Sequence, residues 1–334
     1  MRKYITKRLI MLVPVLLGVS IIVFAVMRAF TADPAASILG QHATSAQIAE
    51  LRNKLGLNDP IYVQYWNYFK GMIRGDLGTS LFTQTKVTDE LLGRFPATAE
   101  LAISAIIFAS IFGVLVGVIS AVKKNTALDY AGMFGALIGV SIPIFWLGIM
   151  LIILFGVILG WLPVSGRLDI LMTPPKITGF LLIDTLITGN IDMFFDALAH
   201  LVLPTVALGM YSTAIIARMT RSSVLETLQQ DYIRTAWAKG LAEKAVVIRH
   251  ALRNALIPVA TVIGLQLGSL LGGAVLTETV FAWPGIGKYT VDAITKSDYP
   301  VVQGAVLLVA FIFVTVNLVV DVLYAFLDPR IKYS

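Results

Sequence analysis

Six stretches of the chain stay apolar for about twenty residues or more, at roughly 9–29, 97–122, 130–160, 198–218, 255–279 and 302–326. Wound as an α-helix, a run of that length spans the hydrocarbon core of a bilayer. The pattern predicts an all-α polytopic membrane protein with six transmembrane helices, built as a single membrane domain over residues 1–334. Pro14, Pro143, Pro204 and Pro258 fall inside the runs. At membrane depth this is tolerated, because neighbouring helices can satisfy the carbonyls that proline frees. The basic start MRKYITKR resembles that of a signal peptide, but the run from Leu9 to Met27 is long enough to span. No small-residue cleavage pattern follows it, so it reads as a retained first span.

The polar stretches 30–96 and 161–197 must lie in water, and the first carries a pattern of its own. Thr44 and Gln47 have the spacing of a capping box, ahead of Ile48, Leu51 and Leu55 on one helical face. Gly56 is a suitable stop, and Asp59 with Pro60 predicts a second helix, capped by the aspartate. That helix, IYVQYWNYFKGMIRG, is rich in Tyr and Trp, as suits the membrane–water boundary.

Composition agrees with a membrane chain. Hydrophobic residues make up 57% of the 334 positions and charged residues 14%, against about 25% in soluble proteins, and the mean hydropathy is +0.83. In a soluble chain the net charge of +6 would point to nucleic acid. Here basic cytoplasmic loops account for it, so the expected contact is a lipid bilayer and not nucleic acid. With the N-terminus inside, segments 1–8, 123–129, 218–254 and 327–334 face the cytoplasm and hold 15 of the 26 basic residues. The distribution therefore predicts an N-in, C-in topology.

Candidate chemistry is sparse. The chain has no cysteine, which excludes disulfides and thiolate metal sites. His42, His200 and His250 are scattered and suit packing or surface roles, and no metal-spaced acidic or histidine cluster is present. The GIGK at Gly285–Lys288 lacks the Walker pattern: Ala282 stands where its first Gly would be, and no Ser or Thr follows Lys288. Glu100 and Glu278 fall near helix ends and are expected at the interface. Asp321 lies deeper, with Asn317 one turn before it, and reads either as part of a packing network or as part of a translocation path. Small-xxx-small spacings occur at Gly113–Gly117, Gly135–Gly139, Gly156–Gly160 and Gly264–Gly268–Gly272. The triple repeat predicts a close helix contact, within the chain or with a second subunit.

One segment remains, DYIRTAWAKGLAEKAVVIRHALRNALIPV from Asp231 to Val259. A transporter with neither an ATPase nor several buried titratable groups must take its energy from a partner, and a rigid cytoplasmic helix between two spans can act as a lever. Gly240 should break this insert, and Val246, Val247 and Leu252 would suit docking into a groove on a soluble partner. Lying on anionic lipid is the competing role.

At these residues the chain resembles the cytoplasmic EAA-type loop of ABC importer permeases of the dipeptide, oligopeptide and nickel branch. The likeness continues in GDLGTSL (Gly75–Leu81), RFPATAEL (Arg94–Leu101), SIPIFWLG (Ser141–Gly148) and ARMTRSSVLE (Ala217–Glu226). It also runs through LTETVFAWPGIG (Leu276–Gly287), SDYPVVQG (Ser297–Gly304) and DPR (Asp328–Arg330). GFLLIDT (Gly179–Thr185) mirrors an external segment of that branch's dipeptide permeases. Arg234, Thr235 and Ala236 stand where the general loop pattern has Glu-Ala-Ala, and the Gly240-to-Pro258 spacing is longer than usual.

The resemblance implies the type I ABC importer permease fold and a bacterial inner-membrane location. It also implies a homologous second permease as partner, two ATPases that bind ATP and Mg, and an extracytoplasmic binding protein that delivers peptide. This chain itself would carry no cofactor and catalyse nothing. Ala236, Ala238, Lys239, Gly240, Leu241, Ala242, Glu243 and Lys244 would touch an ATPase, and Ser141, Gln266, Asn317 and Asp321 would lie along the pathway. A nickel, metal-chelate or haem importer of the same branch shares these motifs, and an ion-coupled carrier is the more distant alternative.

Overall fold

With no water at membrane depth, a chain satisfies its backbone only by its own helical hydrogen bonds, and the apolar runs are helices in the computed structural model. The structure describes residues 2–40 and 42–327, so the DPR tripeptide at 328–330 lies outside the described residues. In chain order the helices are α1 (Arg2–Phe30), α2 (Pro34–Leu39), α3 (Ser45–Lys54), α4 (Ile61–Ile73), α5 (Val87–Val122) and α6 (Ala127–Ser141). Next come α7 (Ile144–Leu151), which widens into π-turns over Ile152–Ile158, then α8 (Leu181–Ile187), α9 (Ile191–Leu228) and α10 (Asp231–Ala238). A short α11 (Glu243–Ala245) leads through π-turns at Val246–Ala251 into α12 (Leu252–Gly273). Last are α13 (Val275–Val280), α14 (Ile286–Lys296) and α15 (Tyr299–Leu327).

Among the described residues, five helices are long and apolar enough to cross a membrane, or six if α6 and α7 form one bent span. The run at 130–160 is thus not a single straight helix: its halves are bent by 105°. The cause is Pro143. It offers no N–H to the turn before it, and it drives Ile142 to extended backbone, with φ −81° and ψ 128°.

The centre of the molecule is the seam between α5 and α9. A Cβ at Gly117 would lie 2.5 Å from Thr220 Cβ, so glycine is what lets the two backbones approach. Leu101, Ala105 and Ala109 of α5 meet Leu201, Leu208 and Ile216 of α9 there, and Val259 and Leu270 of α12 close over them. The triple glycine of α12 faces α15 of the same chain: Gly264 sits on Val320, Gly268 on Asn317 and Gly272 on Val309. Its close contact is therefore internal. At the other end, Asp129 of α6 accepts two hydrogen bonds of 2.7 Å from Arg221 and pins α6 to α9.

The stretch 30–96 folds largely as its pattern predicts. Thr44 and Gln47 make the reciprocal capping box, and Gly56 follows α3 with φ +66°. Asp59 does not cap α4, however. Pro60 holds the cap position and the helix starts at Ile61, because the φ fixed by proline begins the turn without a side-chain acceptor. Tyr65 and Tyr68 of α4 pack on Phe24 of α1 with ring centroids 5.2 and 6.0 Å apart.

Candidate functional site

The insert between α9 and α12 is a compact hairpin on the ends of two long helices. α10 is amphipathic: Ile233 and Ala236 are buried against Val246 and Ala251, with Leu228 packed beside them. The helix ends at Lys239, and Gly240 takes φ +76°, donating its N–H to the Trp237 carbonyl at 2.9 Å. Extended Ala242 then caps the next turn, and Glu243 sits at its N-terminus, where a carboxylate suits the helix dipole.

Ala238, Lys239, Gly240, Leu241, Ala242, Glu243 and Lys244 are therefore all exposed on one tip, whereas Ala236 is buried behind it. Val246 and Val247 are buried within the chain and Leu252 is partly covered, so they are not available for docking as the sequence pattern implied. Their apolar surface is used in folding the hairpin. The apolar residues that do face out are Tyr232, Trp237, Leu241 and Ile248. Trp237 could have been anticipated, since it follows Ala236 off the buried face of a short amphipathic helix.

A second constellation brackets the N-terminal half of α5. Glu100 and Glu278, expected at the interface from their places near helix ends, are buried within the chain. Glu100 accepts from Arg167 Nε and Nη2 at 3.0 and 2.6 Å and from the Leu182 amide at 2.9 Å. Glu278 accepts from the Thr98 hydroxyl at 2.7 Å and the Lys288 amide at 2.9 Å, and Thr98 in turn accepts from the Ile286 amide. Trp283 is fully buried between these two groups, its indole N–H on the Ala97 carbonyl at 2.8 Å. The segment LTETVFAWPGIG is thus a tight helix–turn–helix fastened to the N-terminal half of α5. Sequence reasoning missed Arg167 and Thr98, whose partners lie 67 and 180 positions away.

Of the four pathway candidates, Asn317 and Asp321 lie one turn apart on α15, while Gln266 on α12 and Ser141 at the α6–α7 break come from other elements. Ser141 is exposed at the α6–α7 break and bonds back to the Leu137 carbonyl. Gln266 accepts from Ser212 of α9 at 3.4 Å, while Asn317 of α15 abuts Gly268. Asp321 is ion-paired with Arg8 of α1 at 3.0 Å. Among the described residues, no group of three or more His, Asp or Glu is placed to hold a metal ion.

A set of membrane-length helices, one of them broken, carrying a helical hairpin on the ends of two of them, is the architecture of a membrane permease. The chain belongs to the binding-protein-dependent transport system inner membrane components, whose family model matches residues 113–333. The N-terminal model of the same system matches residues 1–102. A dipeptide transport system permease protein of Alkalihalophilus pseudofirmus is 51% identical over 333 residues, covering all of both chains. A di/tripeptide transport system permease protein of Pseudomonas aeruginosa is also 51% identical, over 335 residues and the whole of both chains. Among solved structures, a chain of the inward-facing MetNI methionine ABC transporter superposes with a TM-score of 0.52 at 19% identity, covering 71% of this chain and 96% of that one. The fold is that of type I ABC importer permeases, and the protein is an inner-membrane permease subunit.

Proposed function

We propose that this chain forms half of the translocation pathway of an ATP-driven importer of di- and oligopeptides, oriented with both termini in the cytoplasm. The observation that carries the reading is the exposed tip Ala238–Lys244, standing on the rigid ends of α9 and the helix that runs on into α12. End-to-end identity of about half to dipeptide permeases supports the peptide as cargo. A homologous permease pairs with this one, two ATPases bind ATP and Mg, and an extracytoplasmic protein delivers the peptide.

In this reading the tip seats in an ATPase, with Trp237 and Leu241 as its apolar contacts, Lys239 beside them, and Glu243 and Lys244 at its edge, where the helix into α12 begins. Closure of the ATPases on ATP moves the hairpin as a unit, because its apolar residues are locked to one another. α9 and α12 carry that motion into the membrane. ATP and the loaded binding protein each favour the outward state, so each strengthens the other's binding. Ser141, Gln266, Asn317 and Asp321 are polar positions from which a pathway lining would be drawn. Chemical crosslinking tests the reading: a cysteine at Ala242 should join this chain to an ATPase subunit in the assembled complex. Failure of that crosslink while the complex hydrolyses ATP normally would remove the tip from the docking surface.

A further inference from the structure

The cytoplasmic end of α5 and the start of the helix at Glu243 enclose an open cavity of about 390 Å³. Its walls include Val118, Ile119, Leu128 and Ile248, and the last three are 48%, 60% and 54% exposed. Lys123, Lys244 and Glu243 complete its polar lining. Among the described residues neither lysine forms an ion pair.

We propose that this cavity holds one anionic phospholipid of the cytoplasmic leaflet, with its phosphate between Lys123 and Lys244 and an acyl chain along Val118, Ile119 and Ile248. The lining combines two ammonium groups with an apolar wall, the two chemistries that a phospholipid joins in one molecule. A free phosphate would satisfy the lysines but leave the wall bare. An apolar protein segment would cover the wall but leave two cations uncompensated. With one carboxylate beside two ammonium groups, the rim carries a single net positive charge, which a headgroup with one negative charge neutralises. The position fits as well. α5 ends its membrane run at Val122, where juxtamembrane lysines meet the anionic surface. Lys244 lies two residues beyond Ala242, so the bound lipid ties the root of the coupling tip to the end of α5. Only the choice of leaflet rests on the proposed orientation; the site itself does not.

The test is native mass spectrometry of the full chain in detergent, offered equal amounts of phosphatidylglycerol and phosphatidylcholine. Phosphatidylglycerol should be retained in preference, and excess inorganic phosphate should not displace it. Lys123→Gln and Lys244→Gln should each lower the preference roughly fivefold, while Lys54→Gln on the external helix α3 should leave it unchanged. Ile248→Trp, which fills the groove and leaves both lysines in place, should reduce retention of both lipids. Equal retention of the two lipids by the unmodified chain would overturn the proposal, as would displacement by phosphate. So would a double lysine variant that keeps its lipid but loses the ATPase in the assembled complex, which would give the cavity to that partner.

Discussion

Gly240 shows what a single residue contributes. Its φ of +76° is a left-handed conformation, which costs a side-chain-bearing residue roughly 1–2 kcal/mol, with asparagine the most tolerant. Within the chain a Cβ there meets nothing within 4 Å. Gly240→Asn should therefore keep most ATPase retention and peptide-stimulated hydrolysis. Gly240→Val should lose both, with insertion and permease pairing intact. Equal activity of the Asn and Val variants in the purified complex would show that the turn's geometry is irrelevant to docking. Lys239→Ala should do little, since an exposed charge is worth about 1 kcal/mol at most. The turn was legible because Gly240 closes an amphipathic helix that begins at Asp231, all within one short stretch of sequence. The burial of Glu100 was not legible, because it depends on Arg167 arriving from a distant loop.

Asp184 belongs to the same scale. Burial works to raise its carboxyl, but hydrogen bonds from the Thr178 hydroxyl and from the amides of Thr178, Gly179 and Ile177 outweigh burial and hold it below the usual aspartate range. A carboxylate with a depressed folded pKa stabilises the fold above its unfolded value near pH 4. That contribution is lost as the pH falls through the lower folded value. Amide exchange at Thr178 and Gly179, corrected for its intrinsic pH dependence, should thus stay protected through neutral and mildly acidic pH. Loss of protection already at pH 6 would contradict this.

Among elements, the bracket that holds α13 and α14 to α5 is the most exacting piece of the fold. Gly285 leaves room for the Glu278 carboxylate, and a Cβ there would lie 2.4 Å from its Cδ. Glu278→Ala should orphan the Thr98 hydroxyl and the Lys288 amide, at about 1–3 kcal/mol for a buried group left unpaired. Both Glu278→Ala and Gly285→Ala should lower the melting temperature of the detergent-solubilised chain by several degrees, and Glu278→Gln by less. Melting curves unchanged by Glu278→Ala would mean that the bracket does not hold α13 and α14 to α5. The long helices themselves were plain in the sequence, since a run of twenty apolar residues in lipid has little choice of structure. The 105° break at Pro143 was less so. Pro204 and Pro258 lie inside helices that continue through them, and neighbouring packing decides which proline bends.

For the whole molecule, the absence of native cysteine makes orientation directly measurable. A cysteine at Lys239 should react with impermeant thiol reagents only from the cytoplasmic side, and one at Lys54 only from outside. Reversed labelling would invert the topology and move the lipid cavity to the other leaflet. In the proposed function this permease moves peptide only on energy supplied by partner ATPases. That dependence is tested most directly by dipeptide uptake into proteoliposomes holding either the chain alone or the assembled complex. The chain alone should accumulate nothing under a proton gradient and hydrolyse no ATP, while the complex should accumulate dipeptide when ATP and the loaded binding protein are supplied together. Accumulation by the lone chain, driven by the gradient, would contradict the account.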